Sequence, residues 1–140
     1  MTNCIFCRII ERSAPAEILF ENDSVICILD KQPIHFGHTL ILPKQHGETF
    51  LDLPPSDHRA LMEATQLICS ALKRSLGIED FNIFSNNGKV AGQSVFHLHW
   101  HVTPRYANDH IRFELSLKDY PDDAMALYGQ RIRDHINSTV

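Results

Sequence analysis

The spacing of apolar residues changes several times along the chain, and each change marks an element. EILFEND, residues 17–23, runs into Asn22-Asp23, a pair favoured in tight turns, and VICIL, residues 25–29, returns from it; together they predict a β-hairpin. HTLILP, His38 to Pro43, predicts a third strand that ends where proline removes a ladder donor. Downstream the period lengthens. Leu61, Thr65, Ile68, Leu72 and Leu76 recur every three or four residues, the spacing of one face of a helix of about five turns. PPSD, residues 54–57, is the expected start of that helix, with Ser56 able to cap it, and Gly77 is the expected stop. The strand period returns in FNIFSN, residues 81–86, and in VFHLHWHVTP, residues 95–104, where apolar and other residues alternate strictly. Short helices are expected at Phe6–Glu11 and at Asp122–Ile136, the latter with Ala124, Leu127, Tyr128 and Ile132 on a loose apolar face. RYANDHIRFELSLKDY, residues 105–120, has no clean period and is a candidate to pack across a partner.

Five strands joined mostly by short connections, with one long helix, predict an α+β domain. Its sheet is antiparallel, the long helix covers one face, and the short helices lie at the ends. The 140 residues suit a single domain spanning 1–140. Composition adds constraints. Seventeen acidic against thirteen basic residues give a net charge of -4, which argues against nonspecific nucleic-acid binding. No apolar run reaches the roughly 18 residues of a membrane span, and MTNCIFCRII lacks a signal-peptide layout, so a cytoplasmic location is expected. Cys27 and Cys69 sit inside apolar patterns and read as buried thiols rather than a bridge.

The chemistry concentrates in nine histidines, and their placement matters more than their number. His97, His99 and His101 alternate with Leu98, Trp100 and Val102, so a strand would place three imidazoles on one face. Such a row crowds potential positive charge unless an anion or a metal is expected there. It suits phosphoryl chemistry: a central imidazole attacks phosphorus while its neighbours hydrogen-bond the equatorial oxygens. His99, flanked on both sides, is the expected nucleophile, with its second ring nitrogen anchored to a backbone carbonyl. Ahead of it, Gly92, Gln93 and Ser94 offer compliant backbone and a hydroxyl for phosphate or leaving-group oxygens. Asn86 could add an amide donor, and His38 could point into the same pocket. Asp30, at the end of the hairpin, could hold the two ribose hydroxyls, or be a surface turn residue. Phe6, Ile9, Phe20, Ile28 and Leu29 are core candidates, some of which could line a slot for a base.

Cys4 and Cys7 form a CxxC pair with the spacing of two zinc thiolates. With no second CxxC, His46 and His97 are the available further donors, and four protein ligands would make the zinc structural. The alternatives at this pair are two reduced cysteines near a terminus, or a redox motif.

The string HLHWHVT, residues 97–103, resembles the histidine triad (HIT) signature of three histidines alternating with apolar residues, with Thr103 at its last place. The resemblance extends through CIFCRII, LDKQPIHFGHTLILPKQH and NNGKVAGQSVFHLHWHV to PRY, so the motif-bearing part is 4–106; the tail 107–140 carries much less of it. It implies a homodimer whose two sheets join into one, binding of a nucleoside phosphate, and a nucleotidyl-histidine intermediate. By motif, His99 matches the family nucleophile and His101 and His38 the phosphate pocket. Ser94 matches the contact to phosphate or leaving group, Gln93 and Asn86 border that site, and Asp30 matches the ribose position. The CxxC subgroup resembles bacterial-type HIT hydrolases, which implies structural Zn2+ on Cys4, Cys7, His46 and His97. His101 stands where the related uridylyltransferases carry glutamine, which favours a hydrolase. Asn86 stands where HINT-like relatives have asparagine and diadenosine-polyphosphate hydrolases often have glutamine. That match leans toward nucleoside phosphoramidates. The alternatives are dinucleoside polyphosphates, with Mg2+ accompanying the substrate, and a nucleotide-binding regulatory module with little turnover. An aprataxin-like role on nucleic-acid ends is disfavoured by the acidic charge and the lack of an accessory finger.

Overall fold

The computed structural model describes residues 3–136. The chain divides into two compact units, Met1–His110 and Ile111–Val140. The first contains helix α1 (Ile5–Ile10), strands β1 (Ile18–Glu21), β2 (Val25–Leu29) and β3 (Thr39–Pro43), helix α2 (Pro55–Leu76), and strands β4 (Asp80–Phe84) and β5 (Trp100–Arg105). The five strands form one antiparallel sheet in the order β1-β2-β3-β5-β4. The expected α+β architecture, a five-stranded antiparallel sheet with one long helix and two short ones, is present.

The hairpin closes through Asn22, whose side-chain oxygen accepts from the N–H groups of Ser24 and Val25 at 2.9 Å each. β2 and β3 are buried on both faces, which is why they read as continuous apolar runs rather than as alternating ones. Alternate residues sort into two cores. Val25, Cys27 and Ile41 pack with Leu61, Ala64, Ile68, Cys69 and Leu72 of α2. Ile26, Ile28, Leu40 and Leu42 pack on the other face with Phe6 and Ile9 of α1. Helix α2 starts at Pro55, with Pro54 as N-cap and no side-chain cap, so Ser56 lies inside the helix instead of capping it. Proline at the first helical position needs no N–H partner and carries the right φ, which makes a side-chain cap dispensable. Gly77 ends the helix at φ 65°, its N–H donating to Lys73 O at 3.1 Å.

The long strand expected at residues 95–104 is shorter. β5 begins at Trp100, and residues 95–99, which include His97 and His99, are irregular. The cause is a change of partner: Leu98 N–H donates to Gly47 O, in the loop after β3, at 2.7 Å. The alternation nevertheless survives. Leu98 and Val102 enter the α2-side core, whereas the His97 and His99 rings contact Phe6 of the α1-side core. His101 pairs across the ladder with Leu40 and with Phe84.

In the second unit, helix α3 (Ala124–Ile136) has no buried residue, and Leu127, Tyr128 and Ile132 of its loose apolar face are exposed.

Candidate active site

Two groups of histidines meet at the N-terminal end of β5, and they are wired differently. In the first, α1 supplies Cys4, its N-cap, and Cys7, whose N–H donates to Cys4 Sγ at 3.4 Å. The loop after β3 supplies His46, and the segment before β5 supplies His97. His97 Nδ1 lies 3.6 Å from each sulfur and 3.1 Å from His46 Nδ1, and His46 Nδ1 lies 3.3 Å from Cys7 Sγ. His97 is fully buried, and its Nε2 donates to Pro43 O at 2.8 Å. That bond places the proton of a neutral ring on Nε2 and leaves a bare Nδ1 lone pair facing the cluster. Burial, more than its neighbours, pushes the His97 imidazole down to about 4, so the ring is neutral at neutral pH. Four converging donor atoms, one of them on a ring anchored from behind by a carbonyl, make a set capable of holding one metal ion.

The second group alternates donors with acceptors. Ile34 N–H donates to His38 Nδ1 at 3.0 Å, so the His38 proton is on Nε2. From there it donates to His101 Nδ1 at 2.9 Å, which leaves the His101 proton on Nε2. His99 Nδ1 donates to His97 O at 2.7 Å, so its Nε2 carries the free lone pair. The His99 and His101 ring centroids are 4.9 Å apart. Burial holds His38 and His99 below the usual imidazole range; burial together with the neighbouring His99 and His38 pushes His101 down to about 4. The rings therefore stand neutral at neutral pH, one offering a lone pair and another an N–H. Asp30, His38 and His101 are also close enough to chelate an ion. Both ring nitrogens of His38 are already occupied in the hydrogen-bond chain, however, and that favours proton ordering over ligation.

The other expected residues are distributed around this pair of clusters. Asp30 Oδ1 accepts from Gln32 N–H at 2.9 Å, and its Oδ2 lies 3.7 Å from His38 Nδ1. Gln93 is buried and ties three segments together. Its amide donates to Glu48 O at 2.6 Å and to Val95 O at 3.1 Å, and its oxygen accepts from Gly88 N–H at 2.7 Å. Asn86 donates a long bond of 3.4 Å to Gly92 O. Ser94 lines a cleft of about 660 Å³ together with Cys4, His46, Glu48 and Phe96.

Three supports escape a reading of the sequence. Phe6 meets the His97 ring edge-on at 5.9 Å and the His99 ring at 5.0 Å. Phe84 stacks on His101 at 4.5 Å, nearly parallel. Ser85 Oγ donates to His99 O at 2.9 Å. Only Phe84 had a detectable signal, as the apolar neighbour of His101 once the β4–β5 pairing is known. Phe6 reads as ordinary core, and Ser85 as a strand-end polar residue.

Comparison with known proteins decides the family. The HIT domain family matches residues 11–108, well over half the chain. The chain belongs to the HIT family. Over 116 residues it is 40% identical to Adenylylsulfatase HINT3 of Arabidopsis thaliana, covering 83% of this chain and 59% of that protein. This chain thus spans under two thirds of the plant relative. Among solved structures, a HIT family protein from Bacillus anthracis superposes with a TM-score of 0.87 at 33% identity, over 99% of this chain and 97% of that one. A Zn-bound histidine triad family protein from Mycobacterium smegmatis gives 0.74 at 34% identity, over 99% and 98%. The His38, His97, His99 and His101 region is consistent with nucleotidyl-transfer chemistry, and the HIT architecture around it supports hydrolase activity in general. Among the described residues, no helix is long and apolar enough to cross a membrane.

Proposed function

We propose that this HIT protein hydrolyses nucleotides at the α-phosphate, nucleoside phosphoramidates first among them, by double displacement through a nucleotidyl intermediate on His99. The observation that carries the proposal is the 2.7 Å bond from His99 Nδ1 to His97 O, which leaves a bare Nε2 lone pair on a neutral ring. In the first step Nε2 bonds to phosphorus as the bond to the leaving group breaks. The ring becomes a phosphorylated imidazolium, and the His97 carbonyl stabilises that positive charge through the bond it already accepts. His101 Nε2–H, oriented by His38, donates to a phosphoryl or leaving-group oxygen or nitrogen, and Ser94 contributes its hydroxyl on the leaving-group side. Asp30 receives the ribose hydroxyls, while Asn86 and Gln93 border the phosphate pocket. Water then attacks phosphorus and breaks the P–N bond, which releases the nucleoside monophosphate and neutral His99; the proton that water loses balances the one the departing amine took up in the first step.

The ion that Cys4, Cys7, His46 and His97 would hold is read as zinc in a structural role. A tetrahedral ion with Zn–S near 2.3 Å and Zn–N near 2.0–2.1 Å spaces two nitrogens about 3.3 Å apart and a nitrogen and a sulfur about 3.6 Å apart. The separations here, 3.1 Å between the nitrogens and 3.3 to 3.6 Å between nitrogen and sulfur, are close to that frame. Bound there, it would cross-link α1 to the sheet, and four protein donors would leave no open position for substrate. Mg2+ would enter only with a polyphosphate substrate.

The name of the plant relative denotes cleavage of adenylyl sulfate, itself a substituted adenylyl phosphate. That supports the α-phosphate as the reacting centre and puts sulfate beside amines and polyphosphates as leaving groups. The resemblance to the family further supports a homodimer, and the free thiols at Cys27 and Cys69 a reducing, cytoplasmic setting. The test compares kcat/KM for adenosine phosphoramidate, adenylyl sulfate and a diadenosine polyphosphate, with the intermediate trapped and mapped by mass spectrometry. A phosphoramidate preference with the adduct on His99 is expected. An adduct on another residue, or tight monophosphate binding with no turnover of any of the three, would overturn the proposal.

A further inference from the structure

The two histidine groups share one residue and one helix. His97 belongs to the metal-ligand cluster through its ring, yet its backbone oxygen, not its ring, holds the nucleophile. Helix α1 carries Cys4 and Cys7, and between them in sequence sits Phe6, whose ring touches both His97 and His99. A helix of six residues is too short to be stable by itself. Its position therefore depends on what clamps it, and two of the four metal donors are on it.

We infer that α1 transmits the state of the metal cluster to the nucleophile, with Phe6 and His97 as positioning residues for the His99 ring. The inference rests on the reading of His99 as nucleophile and of the four-donor set as a metal site. Ser85, just after β4, holds the His99 carbonyl independently of the cluster. What the cluster can alter is thus the ring, through the His97 carbonyl at Nδ1 and the Phe6 edge against its face. The groups read as binding the nucleotide, Asp30, His38 and His101, lie on or beside β2, β3 and β5, and none of them is a cluster donor. Loss of the metal should therefore slow attack while leaving nucleotide affinity in place, because small misplacements of a reacting atom cost rate far more than binding.

The test uses single-turnover nucleotidylation by adenosine 5′-phosphoramidate. Stripping the metal with a chelator, or weakening the cluster with Cys4→Ser, which keeps a competent N-cap, slows His99 modification about tenfold. Affinity for adenosine 5′-monophosphate stays within about twofold, which also reports an intact fold. Phe6→Leu keeps the metal, read from the thiolate-to-cobalt absorption of the Co2+-loaded protein, but reacts at the stripped rate. The loaded-to-stripped ratio then collapses from about ten to about one. A rate indifferent to the metal, monophosphate affinity lost together with the rate, or a ratio near ten persisting in Phe6→Leu overturns the inference. Failure of the metal-loaded wild type to form any His99 adduct removes the inference together with the reading beneath it. A His99 adduct formed at a metal-independent rate removes the inference alone.

Discussion

The two histidine clusters use one side chain for opposite ends. Around Cys4, Cys7, His46 and His97 four donor atoms converge, and the His97 Nδ1 that faces His46 Nδ1 at 3.1 Å carries no proton of its own. Around His38 and His101 the contact is equally short, 2.9 Å, but a proton sits in it, supplied by the ring whose other nitrogen accepts from Ile34 N–H. The lesson is that histidine count and proximity do not separate a metal site from a catalytic pocket. The partner of the far ring nitrogen does: a carbonyl behind His97 bares the lone pair toward the cluster, and an amide behind His38 sends a proton forward.

The sharpest way to break this comparison is at the nucleophile. His99→Ala removes the lone pair read as the nucleophile and should lower kcat/KM by about 10⁴-fold or more, with monophosphate affinity changed only a few-fold. Retention of more than a hundredth of the wild-type rate would move the chemistry elsewhere. The metal side breaks differently. Cys7→Ala should cost about 3 kcal/mol of folding stability, a fall of roughly 10 °C in Tm, and the same variant should no longer respond to added chelator. Complete loss of turnover with Tm unchanged would instead indicate a catalytic ion.

His38→Ala leaves His101 without its donor, frees its tautomer, and should lower kcat about 10–100-fold, together with a loss of Tm from the emptied buried site and the unpaired Ile34 N–H. An unchanged rate would mean that proton order at His101 is irrelevant. A subtler effect follows from pH. His101 stands at about 4 in the fold against about 6.5 unfolded. The unfolded chain therefore takes up the proton first as pH falls, and stability, fully present above about pH 6.5, declines steadily toward pH 4. Urea midpoints of the nucleotide-free protein at pH 7.5 and 4.5 should differ in that direction, and equal midpoints would count against a buried neutral ring. Smallest of all, Ser85→Ala should slow turnover only a few-fold, since it removes one bond of about 1 kcal/mol to the His99 carbonyl.

Much of this was legible in the chain. The hairpin follows from a turn-forming Asn22-Asp23 between apolar runs, and α2 from residues three and four apart that do end up buried, Leu61, Thr65, Ile68 and Leu72. Leu76 is the exception, exposed at the last turn. The alternation at residues 97–102 correctly put the His97 and His99 rings on the side opposite Leu98 and Val102, although β5 proved too short to contain His97 and His99. Strand periodicity constrains which side a residue faces. It says nothing about whether the main chain pairs with a strand or, as Leu98 does, with the loop at Gly47. For His99 an anchoring backbone carbonyl was expected and His97 O supplies it; the tautomers of His97 and His38 were hidden, because they are set by Pro43 O and Ile34 N–H, backbone atoms that carry no sequence signature. Residues 111–136 gave least, since a loose apolar face without a core to fill has no period to decode.

Long-range ¹⁵N–¹H correlation of the imidazoles at neutral pH reads the proton positions directly. The account predicts His99 protonated at Nδ1 with a bare Nε2, beside a His101 protonated at Nε2. A His99 ring carrying its proton on Nε2 would leave no lone pair to attack phosphorus and would contradict it.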